Sequence, residues 1–141
     1  MPLLFNFLIN TALVSMAVVV HYEILRMLSV IIPKLAVEHR LRVIIGVFGT
    51  ICAHVIEVWI FGIAMYLMIA NGGFGTLQGN FDGSLLDCVY FSFTTYTSLG
   101  LGDIEPVGAL RFLTGLESLT GLALITWSAS FMFLEMRKFW E

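Results

Sequence analysis

Three long apolar runs, each broken at a few polar positions, dominate the chain. The first is apolar from Leu3 to Val20, meets His21-Tyr22-Glu23, and resumes through Ile24 and Leu25 to Ile32, ahead of Pro33. The second, Val43 to Ala70, is interrupted by His54 and Glu57, and the third, Val107 to Leu134, holds Arg111 and Glu117. A helix crosses hydrocarbon with about 20 predominantly apolar residues. The pattern therefore predicts spanning helices over 1–32, 43–70 and 107–135, with the polar turn at His21 lying at one interface. Ser84 to Tyr96 is apolar and aromatic again but too short to cross, which predicts a re-entrant helix over 84–97. The expected fold is an all-α membrane protein: an N-terminal spanning helix, then a module over 43–141 with the short helix between its outer and inner helices.

Polar residues mark the connections. Lys34, Glu38, His39, Arg40 and Arg42 predict a loop over 33–42, and the Gly and Asn clusters between Asn71 and Asn80 predict an exposed loop. A cleaved signal peptide is the rival reading of the first run. No basic stretch precedes that run, and Ser15-Met16-Ala17 is a poor cleavage site. Lys34, Arg40 and Arg42 place the first connection inside, and Arg137 and Lys138 place the C-terminus inside, so the N-terminus and the Gly-rich loop are expected outside the cell membrane. Arg111 is the exception, near the outer end of the third helix, where it is expected to snorkel or to pair with Glu105 or Asp103.

Composition changes the picture by exclusion. Of the 141 residues, 59% are hydrophobic and 12% charged, about half the charge of ordinary soluble domains. A net charge of -3 with seven Lys and Arg supplies no basic face for nucleic acid. Cys52 and Cys88 both lie in apolar stretches and read as small buried hydrophobes.

Chemistry concentrates in Thr94-Thr95-Tyr96-Thr97-Ser98-Leu99-Gly100-Leu101-Gly102-Asp103. Glycines two apart, preceded by hydroxyl residues and followed by Asp, suit a backbone that alternates handedness and turns its carbonyls toward one axis. A ring of such carbonyls replaces the hydration shell of a cation. Thr97 to Asp103 resembles the Thr-Thr-Val-Gly-Tyr-Gly-Asp filter of potassium channels, and the resemblance extends back through the short helix and forward through Pro106 into the last helix. It covers roughly the last 60 residues strongly and the second helix by arrangement; the first helix lies outside it.

The resemblance implies a filter over 98–103, with potassium ions, as permeant ligands rather than cofactors, held at Ser98, Leu99, Gly100, Leu101 and Gly102. It implies Asp103 at the outer mouth and Thr94, Tyr96 and Thr97 as filter support. Ser98 stands where the family usually has Thr and keeps a hydroxyl. Leu101 stands where Tyr is usual; it packs but cannot hydrogen-bond, and the second pore loops of two-pore-domain potassium channels also show a Gly-Leu-Gly-Asp pattern. The family's inner helices often bend at a glycine, which makes Gly121 a candidate hinge, while Gly115 is expected to serve packing. Ser84 and Asp87 suit a capping-box start for the short helix, whose C-terminal dipole end favours a cation. Tyr90, Phe91, Phe93 and Tyr96 are expected to pack behind the filter.

His54, Glu57 and Glu117 fall within spanning segments, where an unpaired charge costs at least about 2.5 kcal/mol. They are expected to share a depth, with Glu117 meeting His54 or the hydroxyls of the short helix. A structural pairing is expected, and a proton-sensitive latch is its functional version, given the titration range of histidine. One filter loop per chain cannot close a ring, so conduction requires a homotetramer in membrane lipid. The function implied is a potassium-selective channel without enzymatic chemistry, with monovalent cations as its ligands. A weakly selective cation channel and a non-conducting scaffold subunit are the alternatives. A membrane enzyme holding a metal with His21, Glu23, His54 and Glu57 is disfavoured because no His-Glu-x-x-His spacing appears. The first two helices lack the basic spacing of a voltage sensor, and no ligand-binding domain is expected after Glu141.

Overall fold

The structure, a computed structural model, describes residues 3–140. Met1, Pro2 and Glu141, which the expected segments 1–32 and 43–141 include, lie outside the described residues. Three helices are long and apolar enough to cross a membrane: α1 (Leu3–Ile31), α2 (His39–Asn71) and α4 (Leu110–Trp140). Between α2 and α4 the chain forms strand β1 (Thr76–Gly79), the short helix α3 (Leu85–Tyr96) and strand β2 (Ile104–Val107). This is a multi-pass membrane architecture. α3 packs against both α2 and α4, and α1 packs on the same pair from another side.

α1 buries one stripe, made of Asn10, Leu13, Ala17, His21, Leu25 and Leu28. Steps of three and four residues keep these positions on one helical face. The helix therefore runs straight through His21 and buries its ring completely, which corrects the expectation of a polar turn at an interface. Pro33 then closes a 3-10 turn over Ile32–Lys34.

The loop expected over 33–42 shrinks to four residues. Leu41 and Arg42 already donate their N–H groups to the Glu38 carbonyl, so α2 begins at His39. His39, Arg40 and Arg42 are polar, but Leu and Arg are good helix formers, and nothing in a charged side chain halts a helix outside hydrocarbon. The Arg42 guanidinium reaches back to the Leu35 carbonyl at 2.8 Å and ties the turn to the helix start.

The expected all-α fold is modified by a two-stranded antiparallel ribbon, in which Thr76 faces Val107 and Gly79 faces Ile104. Leu77 and Ile104 turn their side chains into the core. The ribbon also corrects the start of the last helix. Val107 belongs to β2, Gly108 takes a left-handed φ of 76°, and the helix begins only at Leu110, whose N–H bonds to the Phe74 carbonyl at 3.0 Å. Gly75 makes that crossing possible: a Cβ there would lie 1.9 Å from the Val107 carbonyl oxygen.

α3 is started by side chains. The Ser84 hydroxyl accepts the Asp87 N–H at 3.1 Å, while the Asp87 carboxylate accepts the Asp82 N–H at 2.9 Å and the Asp82 carboxylate accepts the Ser84 N–H at 2.7 Å. The second half of the capping box is thus displaced, with Asp87 reaching Asp82 rather than Ser84. The hydrogen bond from Ser84 holds the Asp82 carboxyl below its ordinary value of 3.8. A carboxyl shifted down contributes stability above that value and loses it as pH falls through the lower folded value. Ser84→Ala is expected to lower stability by about 1 kcal/mol, read as a lower midpoint in thermal unfolding of the purified protein in detergent.

Candidate functional site

α3 ends at Tyr96, and the turn that follows stays attached to it. Thr97 donates its N–H to the Phe93 carbonyl, Ser98 to Thr95 at 3.0 Å, and Gly100 to Thr94 at 3.0 Å. The hydroxyls of Thr94 and Thr97 bond to the carbonyls of Phe91 and Phe93 at 2.9 and 2.7 Å, so both are satisfied on their own helix. Beyond Thr97 the backbone alternates. Ser98, Gly100 and Gly102 have φ of 58°, 54° and 79°, whereas Leu99 and Leu101 do not enter the positive region. In an ordinary strand successive carbonyls point to opposite sides; making every second residue left-handed brings them to one side.

Glycine takes this conformation freely, but at Ser98 it costs about 1 kcal/mol. The Ser98 hydroxyl lies 3.0 Å from that of Ser118 on α4, a contact that holds the strained residue. Leu99 and Leu101 stand 63% and 60% exposed, and a Cβ at Gly100 or Gly102 would meet nothing within 4 Å. The turn thus presents one free edge. A groove of about 350 Å³ beside it is lined by residues that include Thr94, Ser98, Leu101, Thr114 and Ser118.

Asp103 closes the turn. Its carboxylate accepts the Tyr90 hydroxyl at 2.8 Å and its carbonyl accepts the Asn80 N–H at 2.8 Å. The side chain expected to meet Arg111 meets Tyr90 instead, because α3 brings that phenol across from one turn after its own start. Gly79 leaves room for this backbone, since a Cβ there would lie 2.3 Å from the Asp103 carbonyl oxygen.

Behind α3 the structure gathers ionisable side chains from three helices. The Tyr96 hydroxyl donates to the Glu57 carboxylate. His54 Nδ1 lies 2.9 Å from that hydroxyl and 3.2 Å from Glu57 Oε2. His21 Nδ1 lies 2.8 Å from Glu57 Oε1, and its Nε2 lies 3.3 Å from the Ser128 hydroxyl on α4. Glu57, His21 and Tyr96 are all buried. Glu117 sits apart from this group. Its carboxyl meets the Ser92 hydroxyl of α3, which also bonds to the Val58 carbonyl at 2.9 Å, and it does not touch His54. Of the two partners expected for Glu117, the structure supplies the hydroxyl of the short helix.

Sequence reasoning groups His21 with His54 and Glu57 only in the disfavoured metal-enzyme alternative and otherwise places it at an interface. The available signal was its position on the stripe of Asn10, Ala17 and Leu25, which a helix continued through the polar turn would have buried.

α4 is continuous through both inner glycines. At Gly121 a Cβ would lie 2.0 Å from the Tyr96 carbonyl oxygen, so α4 touches the end of α3 backbone to backbone there. Gly115, expected to serve packing, has open space on its Cβ side within the chain.

Spanning helices around a short helix, with a turn of alternating handedness at its end, define a multi-pass membrane protein of the pore-loop kind. A family model described as an ion channel matches residues 53–138, more than half of the chain, and the chain belongs to that ion-channel family. The match runs from the middle of α2 into the end of α4 and leaves α1 outside it. Among curated proteins and solved structures nothing matches the chain.

Gly121→Ala is expected to push α4 off the Tyr96 carbonyl and destabilise the fold by about 1–3 kcal/mol. Thermal unfolding in detergent measures it, and an unchanged midpoint would show that α4 yields at this point without cost.

Proposed function

We propose that four copies of this chain assemble around a common axis and conduct potassium ions through a filter built from Ser98, Leu99, Gly100, Leu101 and Gly102. The observation that carries the reading is the left-handed backbone at Ser98, Gly100 and Gly102, alternating with Leu99 and Leu101, which do not enter the positive-φ region. Carbonyls turned to one side form ion sites only when other copies supply the opposite oxygens, and a single chain offers one such edge. The exposed leucines and the groove against α4 give a neighbouring copy a surface to fill. Membership of the ion-channel family supports the same conclusion.

In this reading α3 is a re-entrant pore helix that enters from outside the cell, and Asp103 lies at the outer mouth, where a ring of carboxylates concentrates cations. Lys34, Arg40 and Arg42, with Arg137 and Lys138, support an orientation in which the connection between α1 and α2 and the C-terminal end of α4 face the cytoplasm. Ions shed water into the carbonyl rings and move down their electrochemical gradient. Thr94, Tyr96 and Thr97 hold the filter from behind, and Gly121 sets the approach of the inner helix rather than acting as a bend.

Leu101 favours a second reading, in which selectivity among monovalent cations is weak. Its side chain is exposed and can donate no hydrogen bond to the aromatic residues behind it.

Purified protein in potassium-loaded liposomes is expected to release potassium, and Gly100→Ala to reduce that flux at least tenfold, because an L-residue resists the left-handed φ of 54°. Flux equal to wild type in Gly100→Ala would refute the filter. Reversal potentials in mixed potassium and sodium decide between the two selectivities: strong potassium preference in both wild type and Leu101→Tyr supports the first, and preference gained only with Tyr supports the second.

A further inference from the structure

The side chains gathered behind α3 have a chemistry that the conduction path does not use. From the arrangement of His21, His54 and Glu57 we infer that this chain carries a binding site for a borderline transition-metal ion of the zinc or nickel type, set between α1 and α2. The site is distinct from the filter, and its occupancy does not depend on whether the chain conducts.

Two imidazoles and a carboxylate present donor atoms that all lie within 4.8 Å of one another. Tetrahedral zinc with bonds of about 2.0–2.1 Å holds its ligands roughly 3.4 Å apart. The distances of 2.8 Å from His21 to Glu57 and 3.2 Å from His54 to Glu57 lie on the near side of that separation, so small rotations of the rings open the space for an ion. The donor set selects the class of ion. Two nitrogens and one carboxylate without thiolate suit zinc, nickel or copper, whereas calcium and magnesium require more oxygen ligands.

The surroundings of the ligands fit the same chemistry. Metal-bound histidines normally use the second ring nitrogen to bond an oxygen that fixes the ring, and here the Ser128 hydroxyl lies 3.3 Å from His21 Nε2, leaving Nδ1 aimed at Glu57. The rings of His21 and His54 lie with centroids 5.1 Å apart, and Trp127 covers His21 at 5.3 Å. The Tyr96 hydroxyl, against Glu57 and 2.9 Å from His54 Nδ1, supplies a fourth donor atom, an oxygen, at the edge of the site. His54, with its side chain 19% exposed, is the ligand that reaches the surface of the chain. Glu57 is buried, so an ion there also neutralises a carboxylate that hydrocarbon would otherwise have to accommodate.

Because Tyr96 is both the last residue of α3 and a neighbour of the ligands, an ion that spreads Glu57 and His54 to its own ligand separation shifts the tether of the following turn. A metal bound here is therefore placed to alter the turn at 98–103. This second consequence rests on the proposed filter; the binding itself does not.

The test is direct binding to the intact purified protein in detergent, by calorimetry and by thermal unfolding, with zinc, nickel, magnesium and calcium salts as probes. Zinc and nickel are expected to bind at one ion per chain and to raise the midpoint by about 5 °C or more at a hundredfold excess over Kd, whereas magnesium and calcium leave it unchanged. Glu57→Gln and His54→Ala are expected to lose at least tenfold in affinity, and Ser128→Ala about tenfold through the ring it orients, while His39→Ala, outside the cluster, binds as wild type does. His54→Ala is the variant of choice for folding, being at the exposed edge. Binding that survives both ligand substitutions, or no binding by folded wild type, overturns the inference. Potassium flux measured on the same preparation separates the two conclusions: flux without metal binding removes the site alone, and metal binding without flux removes only the channel reading.

Discussion

Hydrocarbon offers no partner to a polar group, and this chain is organised by where it keeps such groups supplied. Glu57 alone would cost several kcal/mol in the middle of α2. It is instead surrounded by His21 from α1, His54 from its own helix and Tyr96 from α3. That one requirement determines how the helices sit. α1 must cross with His21 at the depth of Glu57, and α3 must end where Tyr96 reaches the same carboxylate. Glu117 imposes a second condition: one of its oxygens meets Ser92, whose hydroxyl also bonds to Val58, so α3 is tied to both α4 and α2, while the other oxygen is buried without a hydrogen-bond partner among the described residues. The apolar contacts of Phe61, Met65, Cys88 and Leu113 fill the space between these fixed points. They supply burial but little orientation, since lipid tails are as apolar as the side chains themselves.

Backbone outside a helix must likewise be supplied from within. The turn after α3 borrows the carbonyls of Thr94 and Thr95 for its own N–H groups. Its far end is fixed by Asp103, through Asn80 and Tyr90. Beyond those bonds, Ser98, Gly100 and Gly102 alternate in handedness with Leu99 and Leu101 up to Asp103. Strain at Ser98 is tolerated because Ser118 meets its hydroxyl, so the least comfortable residue of the turn is also the one tied to α4.

Much of this was legible in the residues. The three spans followed from the length of the apolar runs, the start of α3 from Ser84 and Asp87, and the alternating turn from glycines at 100 and 102. The left-handed Ser98 was not, because its conformation depends on a partner twenty positions away. The ribbon of Thr76–Gly79 with Ile104–Val107 escaped because its strands are four residues long and one contains Pro106, which tolerates only an edge position. In a two-stranded ribbon both strands are edges. The cluster was named only to be disfavoured, and for a different reason. His54 and Glu57 share a helical face by spacing, but the place of His21 depends on how α1 docks, and a polar residue late in an apolar run reads as the end of a span until tertiary contacts show its partner. The same logic lengthened α2 backward to His39, where polarity suggested a loop.

The ribbon has a consequence for the behaviour of the turn. Because Gly79 and Ile104 are paired at its base, the excursion that contains α3 is stitched shut by the chain itself. The entropy of bringing its two ends together is met by amide hydrogen bonds and by buried Leu77. The rim of the turn is therefore set by the chain's own contacts, and a ligand that came and went there would leave it standing without any refolding.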